Sequence, residues 1–477
     1  MTYHSQRLFF RPYGGSFACV DILARAILIY CPIFVGCGLA SDEASSTEQQ
    51  KNLAHARQVF LIQELPHEKG KVKYSASHYD SFGSYRESAM QALTRVEGVI
   101  DLSFENASPQ TSSESNPFSY IKQFRKLEAL ACAEGGVEDE HLMHIDSHPS
   151  LKHVLLRARG GLKGNRFTDK GLRSLTTIPQ LKRLVLEGSC YSDVGLQHVG
   201  SIKSLESLYL GGYYTDNGLN YLRQLKNLKQ LCVVGNLTDE SMQYLSSLTN
   251  LRALWLYSNK GKLAGQGLSQ LSKLPHLQLL GLRGFDSGAS LKDLDRLAHL
   301  ELLDLSELNS NQATVSDSLL NSIPPMTKLR SLSLRSTQVS DAGFSFVKKL
   351  PNLEELDLRY TTIGDLGVKQ VGQLNHLKVL ILGDPSRRNL ITTQGMDALV
   401  HLPELSWLDL VYVDTSKISP HSVPRFQSLK KLTVAVECPF SRILKSRGVE
   451  ITTDTRAHVS ADQAEHAWLG KMVAMQE

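Results

Sequence analysis

The sequence predicts an α/β solenoid, a curved stack of short parallel strands and short helices, and three observations support this prediction. The chain has 477 residues, more than one compact hydrophobic core usually accommodates. A strand-like unit, L-x-x-L-x-L, recurs along most of it, with most steps 23 or 24 residues long, as from Leu205 to Leu228. Three apolar residues precede each unit at spacings of three, for example Leu219, Leu222 and Leu225. Such self-similarity at a fixed period is the signature of a repeat array.

The strands come first in each unit, and there are about 13 of them. Alternate side chains of a strand point to opposite faces, so Leu208 and Leu210 are expected in the core and Tyr209 on the opposite face. The first apolar residues of the units are Leu127, Leu151, Leu181, Leu205, Leu228, Leu251, Leu277, Leu300, Leu329, Leu353, Leu377, Leu405 and Leu429.

A turn with a recurring Ser/Thr-Asp-x-Gly sequence joins each strand to the following helix. It reads Thr-Asp-Asn-Gly at residues 215–218 and Ser-Asp-Ala-Gly at residues 340–343. The Ser or Thr is predicted to cap the helix, and the Asp to lie in its electropositive first turn. No unit could bury its apolar face alone, whereas stacked units bury all of these faces in one continuous core.

The strand unit followed by Thr/Ser-Asp-x-Gly-Leu resembles the leucine-rich-repeat family, in the version found in exported bacterial proteins and in F-box-type adaptors. The resemblance covers residues 96–436. It implies a curved solenoid with parallel strands on the concave face and short helices on the convex face. The family often has Asn after the strand, where this chain has Thr337, Thr361 or Cys190, which indicates a subtype. Because this fold hosts many unrelated binders, the resemblance implies binding in general.

The N-terminus is predicted to be an export signal. Positive residues precede an apolar run at 26–36, which is shorter than the roughly 20 residues needed to span a bilayer but suits a signal peptide. Two interpretations remain open: cleavage before Cys37, where the sequence resembles a lipobox and the cysteine would be lipidated, or cleavage after Ala40. Residues 1–40 are therefore expected to direct the protein to the cell envelope, to a membrane anchor or into the medium.

The ends of the array are expected to differ from its middle, because the outermost repeats need a cap. Residues 41–95 are predicted to be a polar linker and N-terminal cap, in which the segments 56–65 and 86–96 form short helices. Residues 437–477 are predicted to be a C-terminal cap and tail.

Outward-facing strand positions line up in columns, because neighbouring strands lie roughly 5 Å apart. The predicted ligand-binding residues fall in two patches of these columns. Since Trp, Tyr and Arg dominate binding hot spots, both patches are candidates. The alternative is that the aromatic rings shield neighbouring strands and the opposite charges pair with each other. The aromatic patch is Tyr209, Val234, Trp255 and Tyr257, and the charged patch is Arg283, Asp304, Arg335, Asp357 and Arg359.

A basic rim is the second candidate surface. Four units carry extra residues after the strand, at 158–167, 258–265, 307–314 and 383–390, and insertions on one side of a repeat protein often line a binding face. An acidic glycan or an acidic protein surface would suit this rim, although exposed loops are often Lys-rich for solubility alone. Its basic residues are Arg159, Lys163, Arg166, Lys260, Lys262, Arg387 and Arg388.

Catalytic and metal chemistry are not predicted. The cluster at 140–148 contains His141, His144 and His148, but the repeat frame places His148 at a core leucine position, which favours a structural role over zinc binding. No phosphate-binding loop or nucleophile elbow occurs. Neither a catalytic residue nor a cofactor is therefore expected, and a net charge of only +4 disfavours nucleic acid as a partner.

The predicted function is non-catalytic recognition outside the cytoplasm. A monomeric solenoid would hold a protein or acidic glycan on its concave face and basic rim, with membrane attachment through a lipid on Cys37 if that cysteine is modified. The alternative is an intracellular adaptor that presents substrates to an enzyme complex. That function requires a helical docking module ahead of the repeats, for which residues 41–95 are short.

Overall fold

The computed structural model describes most of the repeat region and parts of its flanks. The predicted signal at 1–40 lies outside the described residues, as do Arg159, Lys163, Arg166, Arg387 and Arg388, so these remain predictions. Within the described part, no helix combines the length and apolar character needed to cross a membrane. The described residues are 60–65, 73–78, 87–96, 98–104, 117–132, 138–158, 167–188, 191–307, 314–384, 391–420 and 426–453.

One sheet runs through the molecule, and each strand pairs with the next strand in the sequence. β1 and β2 are antiparallel, and from β2 to β17 every pairing is parallel. The predicted α/β solenoid is therefore confirmed. The strands are β1 Phe60–Leu65, β2 Lys73–His78, β3 Val99–Phe104, β4 Ala129–Cys132, β5 His153–Ala158, β6 Arg183–Gly188, β7 Ser207–Thr215, β8 Gln230–Asn236, β9 Ala253–Ser258, β10 Leu279–Arg283, β11 Leu302–Asp304, β12 Ser331–Ser333, β13 Glu355–Asp357, β14 Val379–Gly383, β15 Trp407–Tyr412, β16 Lys431–Val434 and β17 Glu450–Thr453.

Short helices return the chain from each strand to the next. Several are 3₁₀ helices, which have three residues per turn, and this explains why the apolar residues recur at every third position. The α-helices are α1 Glu87–Thr94, α2 Asp139–Leu142, α3 Asp193–Val199, α4 Asp216–Leu219, α5 Glu240–Leu245, α6 Leu268–Leu271, α7 Asp317–Asn321, α8 Asp365–Val371, α9 Thr393–Leu399 and α10 Pro439–Ser446. The 3₁₀ helices are Pro117–Gln123, Met143–Ile145, Gly171–Thr177, Asn220–Gln224, Lys292–Arg296, Phe344–Lys349 and Thr415–Lys417.

The core lies between the strands and the helices and is continuous from Met90 to Val449. Leu208 and Leu210 are fully buried in it, as the alternation of the strand predicts. The helix residues Leu219 and Leu222 meet them from the other side, also fully buried. Each repeat thus buries its apolar face against its neighbours rather than against itself.

An aspartate in many of the helix-start turns links one repeat to the next. Oδ1 of Asp216 accepts a hydrogen bond from the backbone N–H of Thr238 at 3.0 Å, and Oδ2 accepts one from the Thr238 hydroxyl at 2.7 Å. This Asp–Ser/Thr clamp recurs along the solenoid. Its further pairs are Asp139–Thr168, Asp169–Ser192, Asp193–Thr215, Asp317–Ser340 and Asp365–Thr392.

The clamp explains the glycine of the Ser/Thr-Asp-x-Gly motif. Oδ1 of Asp341 accepts the N–H of Gly364 at 2.7 Å and that of Gly367 at 2.9 Å. A Cβ on Gly367 would lie 2.6 Å from the same oxygen. The glycine is thus required because the preceding repeat's carboxylate occupies the space of a side chain. The same closeness holds for Gly171, Gly195, Gly218, Gly343 and Gly395.

The predicted helix caps are partly confirmed. The Ser192 hydroxyl accepts a hydrogen bond from the N–H of Val194, and that of Thr392 accepts one from Gln394. Thr215 precedes α4 without such a bond, and its hydroxyl instead donates to Asp193 of the preceding repeat. The hydroxyl therefore serves the contact between repeats as well as the helix start.

The N-terminal flank differs from the sequence prediction in one element. The segment 56–65 was expected to be helical, but Phe60–Leu65 is a β-strand that pairs with Lys73–His78 in a hairpin. Pairing with the sheet outweighs the segment's weak helical preference, because its run of Phe, Leu and Ile suits a strand. The helix expected in 86–96 is confirmed as α1.

At the C-terminal flank, α10 buries Phe440 and Leu444 against the last repeat, and β17 adds one more parallel strand. In the sequence of α10, Pro439 occupies the first turn, where a missing N–H has no consequence for the helix.

His148 occupies a leucine position in the core, as the repeat frame predicts. Its residue surface is 1% exposed. Burial lowers the pKa of His148, and the nearby backbone of Ile121 and Phe124 offsets only part of this effect.

We predict that alanine at Gly367 destabilises the solenoid by about 1–3 kcal/mol, the usual range for overpacking. Its Cβ would collide with the Asp341 carboxylate, so the clamp at this interface would have to shift. Thermal melting followed by circular dichroism measures the effect. Gly288→Ala is the matched control, because its nearest neighbour would be 3.6 Å away. Equal shifts in the two variants would show that the clamp does not constrain the glycine.

We predict that His148 makes the fold sensitive to mild acid. Its pKa in the folded chain is lowered, whereas the unfolded chain has the ordinary value of about 6.5. The unfolded state therefore takes up the proton first as the pH falls below about 6.5, and stability decreases. His148→Leu should flatten the dependence of melting temperature on pH between about 7 and 5. The exposed His401→Leu should leave it unchanged, and identical profiles for all three proteins would contradict the assignment.

Candidate ligand-binding face

The two predicted columns on the concave face are confirmed by the strand register. Tyr209 lies beside Cys232, Cys232 beside Trp255, and Trp255 beside Gly281. Along the second column, Val234 pairs with Tyr257 and Tyr257 with Arg283. The repeat spacing alone was sufficient to place these side chains next to each other.

The candidate residues are not an open surface, however. Eight of the nine are at most 8% exposed, and only Arg335 is half-buried. Because adjacent strands are about 5 Å apart, large side chains on one column pack against those of the next. The apolar members form a second hydrophobic cluster on the opposite face of the sheet from the main core. Whether these residues bind a ligand remains a prediction.

The centre of the aromatic patch is a packed column. Trp255 lies over Gly281, where a Cβ would come within 2.8 Å of the indole Nε1. Cys232, between Tyr209 and Trp255, is 1% exposed, and burial raises the pKa of its thiol. A glycine at position 281 therefore makes room for the ring of the preceding repeat, and the thiol between the rings is kept neutral.

Two hydrogen-bond donors in this column stand out. The Tyr209 hydroxyl and the Trp255 indole N–H are buried and have no acceptor among the described residues. A buried donor without an acceptor costs about 1–3 kcal/mol. The patch thus contains polar groups whose presence the packing of the repeats does not explain.

The first part of the charged patch is a chain of contacts across three strands, β9 to β11. The Arg283 guanidinium lies 4.3 Å from the centre of the Tyr257 ring and donates to the Ser306 hydroxyl at 2.7 Å. The Tyr257 hydroxyl in turn donates to Asp304 at 3.3 Å, and Arg283 and Asp304 are 3.8 Å apart. These charges pair with each other, which was the alternative interpretation of the patch.

The second part is a buried ion pair within one strand and its extension. The Arg359 Nε donates to both carboxylate oxygens of Asp357, at 3.0 and 3.2 Å. Burial alone would raise the pKa of Asp357, but the adjacent Arg359 outweighs it and the pKa is lowered. Both groups therefore remain charged and fixed in position.

Two tyrosines beside this pair were missed by the sequence analysis. Tyr360 follows strand β13 and Tyr412 is the last residue of β15, and their ring centres are 5.2 Å apart. The Arg335 guanidinium lies 5.4 Å from the centre of the Tyr360 ring. All three side chains are half-buried. The available signal was a tyrosine one residue past the columns, in L-D-L-R-Y and L-D-L-V-Y.

The basic rim is described only in part. Lys260 and Lys262 are exposed, on the loop between β9 and α6. Its role as a binding surface remains a prediction. In the histidine cluster, His141 Nδ1 accepts the N–H of Glu138 at 2.9 Å, and across the described ranges no three His, Cys, Asp or Glu side chains converge as metal ligands would.

The model of the leucine-rich-repeat family matches residues 351–414. The same unit recurs before and after this stretch, in the sequence and in the sheet. The chain has the leucine-rich-repeat solenoid fold. No curated protein matches this chain.

Several solved structures are similar to this leucine-rich-repeat chain. An internalin of Listeria monocytogenes is 17% identical, with a TM-score of 0.42, over 87% of this chain and 94% of its own. The yeast complex of Rad7 and Elc1 contains a chain that is 19% identical, with a TM-score of 0.43, over 78% of this chain and 92% of its own. A leucine-rich-repeat protein of Leptospira interrogans is 17% identical, with a TM-score of 0.40, over 78% and 93%.

Leucine-rich-repeat proteins are typically binding scaffolds without catalytic activity, and the fold points to a protein-binding role. The concave face carries the side chains most suited to this role, but most of them are buried.

We predict that Tyr209→Phe leaves stability unchanged or raises it by about 1 kcal/mol, because the lost hydroxyl has no acceptor among the described residues. Tyr257→Phe is the matched control. It also keeps its ring, but it loses a hydrogen bond to Asp304 and should cost about 1 kcal/mol. Thermal melting of both variants tests the difference. If Tyr209→Phe is the more damaging change, the hydroxyl is satisfied in the native protein.

Proposed function

We propose that this leucine-rich-repeat protein is a non-catalytic recognition protein that acts outside the cytoplasm and holds a protein partner on its concave side. The partner contacts the half-exposed residues that flank the buried concave columns. The buried columns act as a rigid support for these contacts.

The observation that carries this proposal is the distribution of exposure on the concave side. Arg183, Gln230, Arg335, Trp407 and Lys431 lie on this face or at its edge and are all half-buried. Their neighbours in the columns are fixed by packing and ion pairs, so these side chains are held by a rigid surface. Pre-organised Arg and aromatic residues are the types that dominate protein–protein affinity.

Two of these residues show how the support works. The indole N–H of Trp407 donates to the Thr433 hydroxyl at 3.1 Å, and the Lys431 ammonium lies 4.8 Å from the centre of the Trp407 ring. The indole is therefore held by contacts to the next strand while part of its surface remains accessible. A partner binding here would lose little side-chain entropy on the solenoid's side.

The location outside the cytoplasm is supported by the sequence of the first 40 residues. The apolar run at 26–36 has the length of a signal-peptide core, and either Cys37 or Ala40 provides a cleavage position. Lipidation at Cys37 would attach the protein to a membrane surface.

Site-specific photo-cross-linking in the native organism tests the proposal. A photoreactive phenylalanine analogue at Arg183 or Gln230 should capture the same discrete protein. The same analogue at Lys203, an exposed residue between α3 and β7, should not capture it. Capture that is equal at all three positions, or that occurs only at Lys203, would overturn the concave side as the binding face.

The intact mass of the same purified protein tests its location. A mature chain that starts at an acylated Cys37 or at Ser41 supports export. An intact Met1 would contradict it and would favour an intracellular adaptor, with cytosolic proteins among the cross-linked products.

A further inference from the structure

Tyr360, Tyr412 and Arg335 form a half-exposed aromatic cradle at the ends of strands β12 to β15, which we call the tyrosine cradle. The two rings are tilted by 43° with centres 5.2 Å apart. The guanidinium of Arg335 lies 5.4 Å from the Tyr360 ring centre. The cluster thus combines two aromatic rings with a hydrogen-bond donor group beside one of them.

The backbone of Tyr360 provides a second, independent observation. Its φ angle is +58°, in the left-handed region that bulky side chains seldom adopt. Ser336 occupies the same place one repeat earlier with φ +60°, so the turn itself demands this conformation. Glycine or asparagine would adopt it at lower cost. A half-buried tyrosine at such a position indicates that its ring is retained for a contact.

The charges around the cradle argue for a neutral ligand. The guanidinium groups of Arg335 and Arg359 act on Tyr360, and the carboxylates of Asp357 and Asp409 act on Arg359. Because the two signs balance, neither a strongly anionic nor a strongly cationic group gains from binding here. The Asp357–Arg359 pair is buried and internally compensated. The Tyr360 N–H donates to the carbonyl of Gly383 at 2.7 Å, which joins this turn to the next repeat.

We propose that the tyrosine cradle binds a neutral pyranose ring. The C–H face of a sugar is apolar and stacks on aromatic rings, while its hydroxyl groups both donate and accept hydrogen bonds. The phenols of the cradle and the Arg335 guanidinium match the edge of such a ring, and the tyrosine faces match its C–H surface. This proposal does not depend on the protein partner proposed above.

The sugar can come from two sources, a free oligosaccharide or a glycan carried by a glycoprotein. The ring chemistry is the same for both. A free trisaccharide and a glycopeptide that carries the same sugar distinguish them. If the trisaccharide and the glycopeptide bind with equal affinity per sugar residue, the sugar ring alone is recognised. If the glycopeptide binds more tightly, the ligand is a glycan carried by a protein.

Saturation-transfer NMR on the full chain tests the proposal, with cellotriose and chitotriose as neutral probes and a heparin tetrasaccharide as the anionic one. Saturation should reach the ring C–H protons of a neutral probe. Tyr360→Gly and Tyr412→Ala should each weaken binding at least tenfold. The controls are Tyr213→Ala and Tyr221→Ala, because both tyrosines are exposed elsewhere on the surface.

Tyr360→Gly carries a signature that a structural role would not produce. Glycine adopts the left-handed backbone conformation without strain, so the melting temperature should stay the same or rise while sugar binding is lost. Binding of the heparin probe alone, no saturation of either neutral probe, or neutral binding that survives both cradle variants would overturn the proposal. Loss of the cross-links from Arg183 and Gln230 would instead count against the proposed protein partner, so the two failures are distinguishable.

Discussion

The Asp–Ser/Thr clamp determines how the repeats of this protein can stack. A hydrophobic core is non-directional and would tolerate sliding between repeats, whereas a carboxylate that accepts both an N–H and a hydroxyl fixes one register. Asp193 and Asp216 show the arrangement in successive repeats. The Asp carboxylate of one repeat fills the space beside the glycine of the next repeat. The residues of the Ser/Thr-Asp-x-Gly motif therefore act together across the interface between two repeats. The alignment of the concave columns follows from the register that the clamp sets.

This register has different consequences for side-chain packing on the two faces of the sheet. On the core side, leucines of adjacent repeats bury each other. On the concave side, aromatic and charged side chains of adjacent strands are brought to about 5 Å, so they either pack or pair. Arg157 and Glu187 make a buried ion pair at 2.7 Å across two such strands. The concave face is thereby a second interior, and partial exposure persists mainly along its margins. This is why hot-spot residue types alone did not locate an open surface.

Structural features that depend on the repeat period could be predicted from the sequence. Features that depend on tertiary contacts could not. The spacing of Leu205 and Leu228 was enough to place the strands, the core and the columns, because all three follow from a fixed repeat length. The role of the aspartates was missed, since a helix start explains Asp equally well. The hairpin at Phe60–Leu65 depends on pairing with a distant sheet, which local propensity does not encode. Tyr360 and Tyr412 were missed because they stand outside the columns, and their contact spans two repeats.

Repeat proteins interact mainly between nearest neighbours, so a change in one repeat has little effect several repeats away. This property lets a solenoid carry a strained or unsatisfied group without loss of the whole fold. Tyr360 lies in a left-handed turn, and the Tyr209 hydroxyl has no hydrogen-bond partner among the described residues. The two tyrosines lie in different parts of the array, six strands apart. Each of these groups lowers the stability of its own repeat, and the contacts of that repeat with its neighbours offset the loss. A compact domain would distribute such costs over one shared core, whereas here they mark separate positions where side-chain chemistry has been kept at the expense of stability.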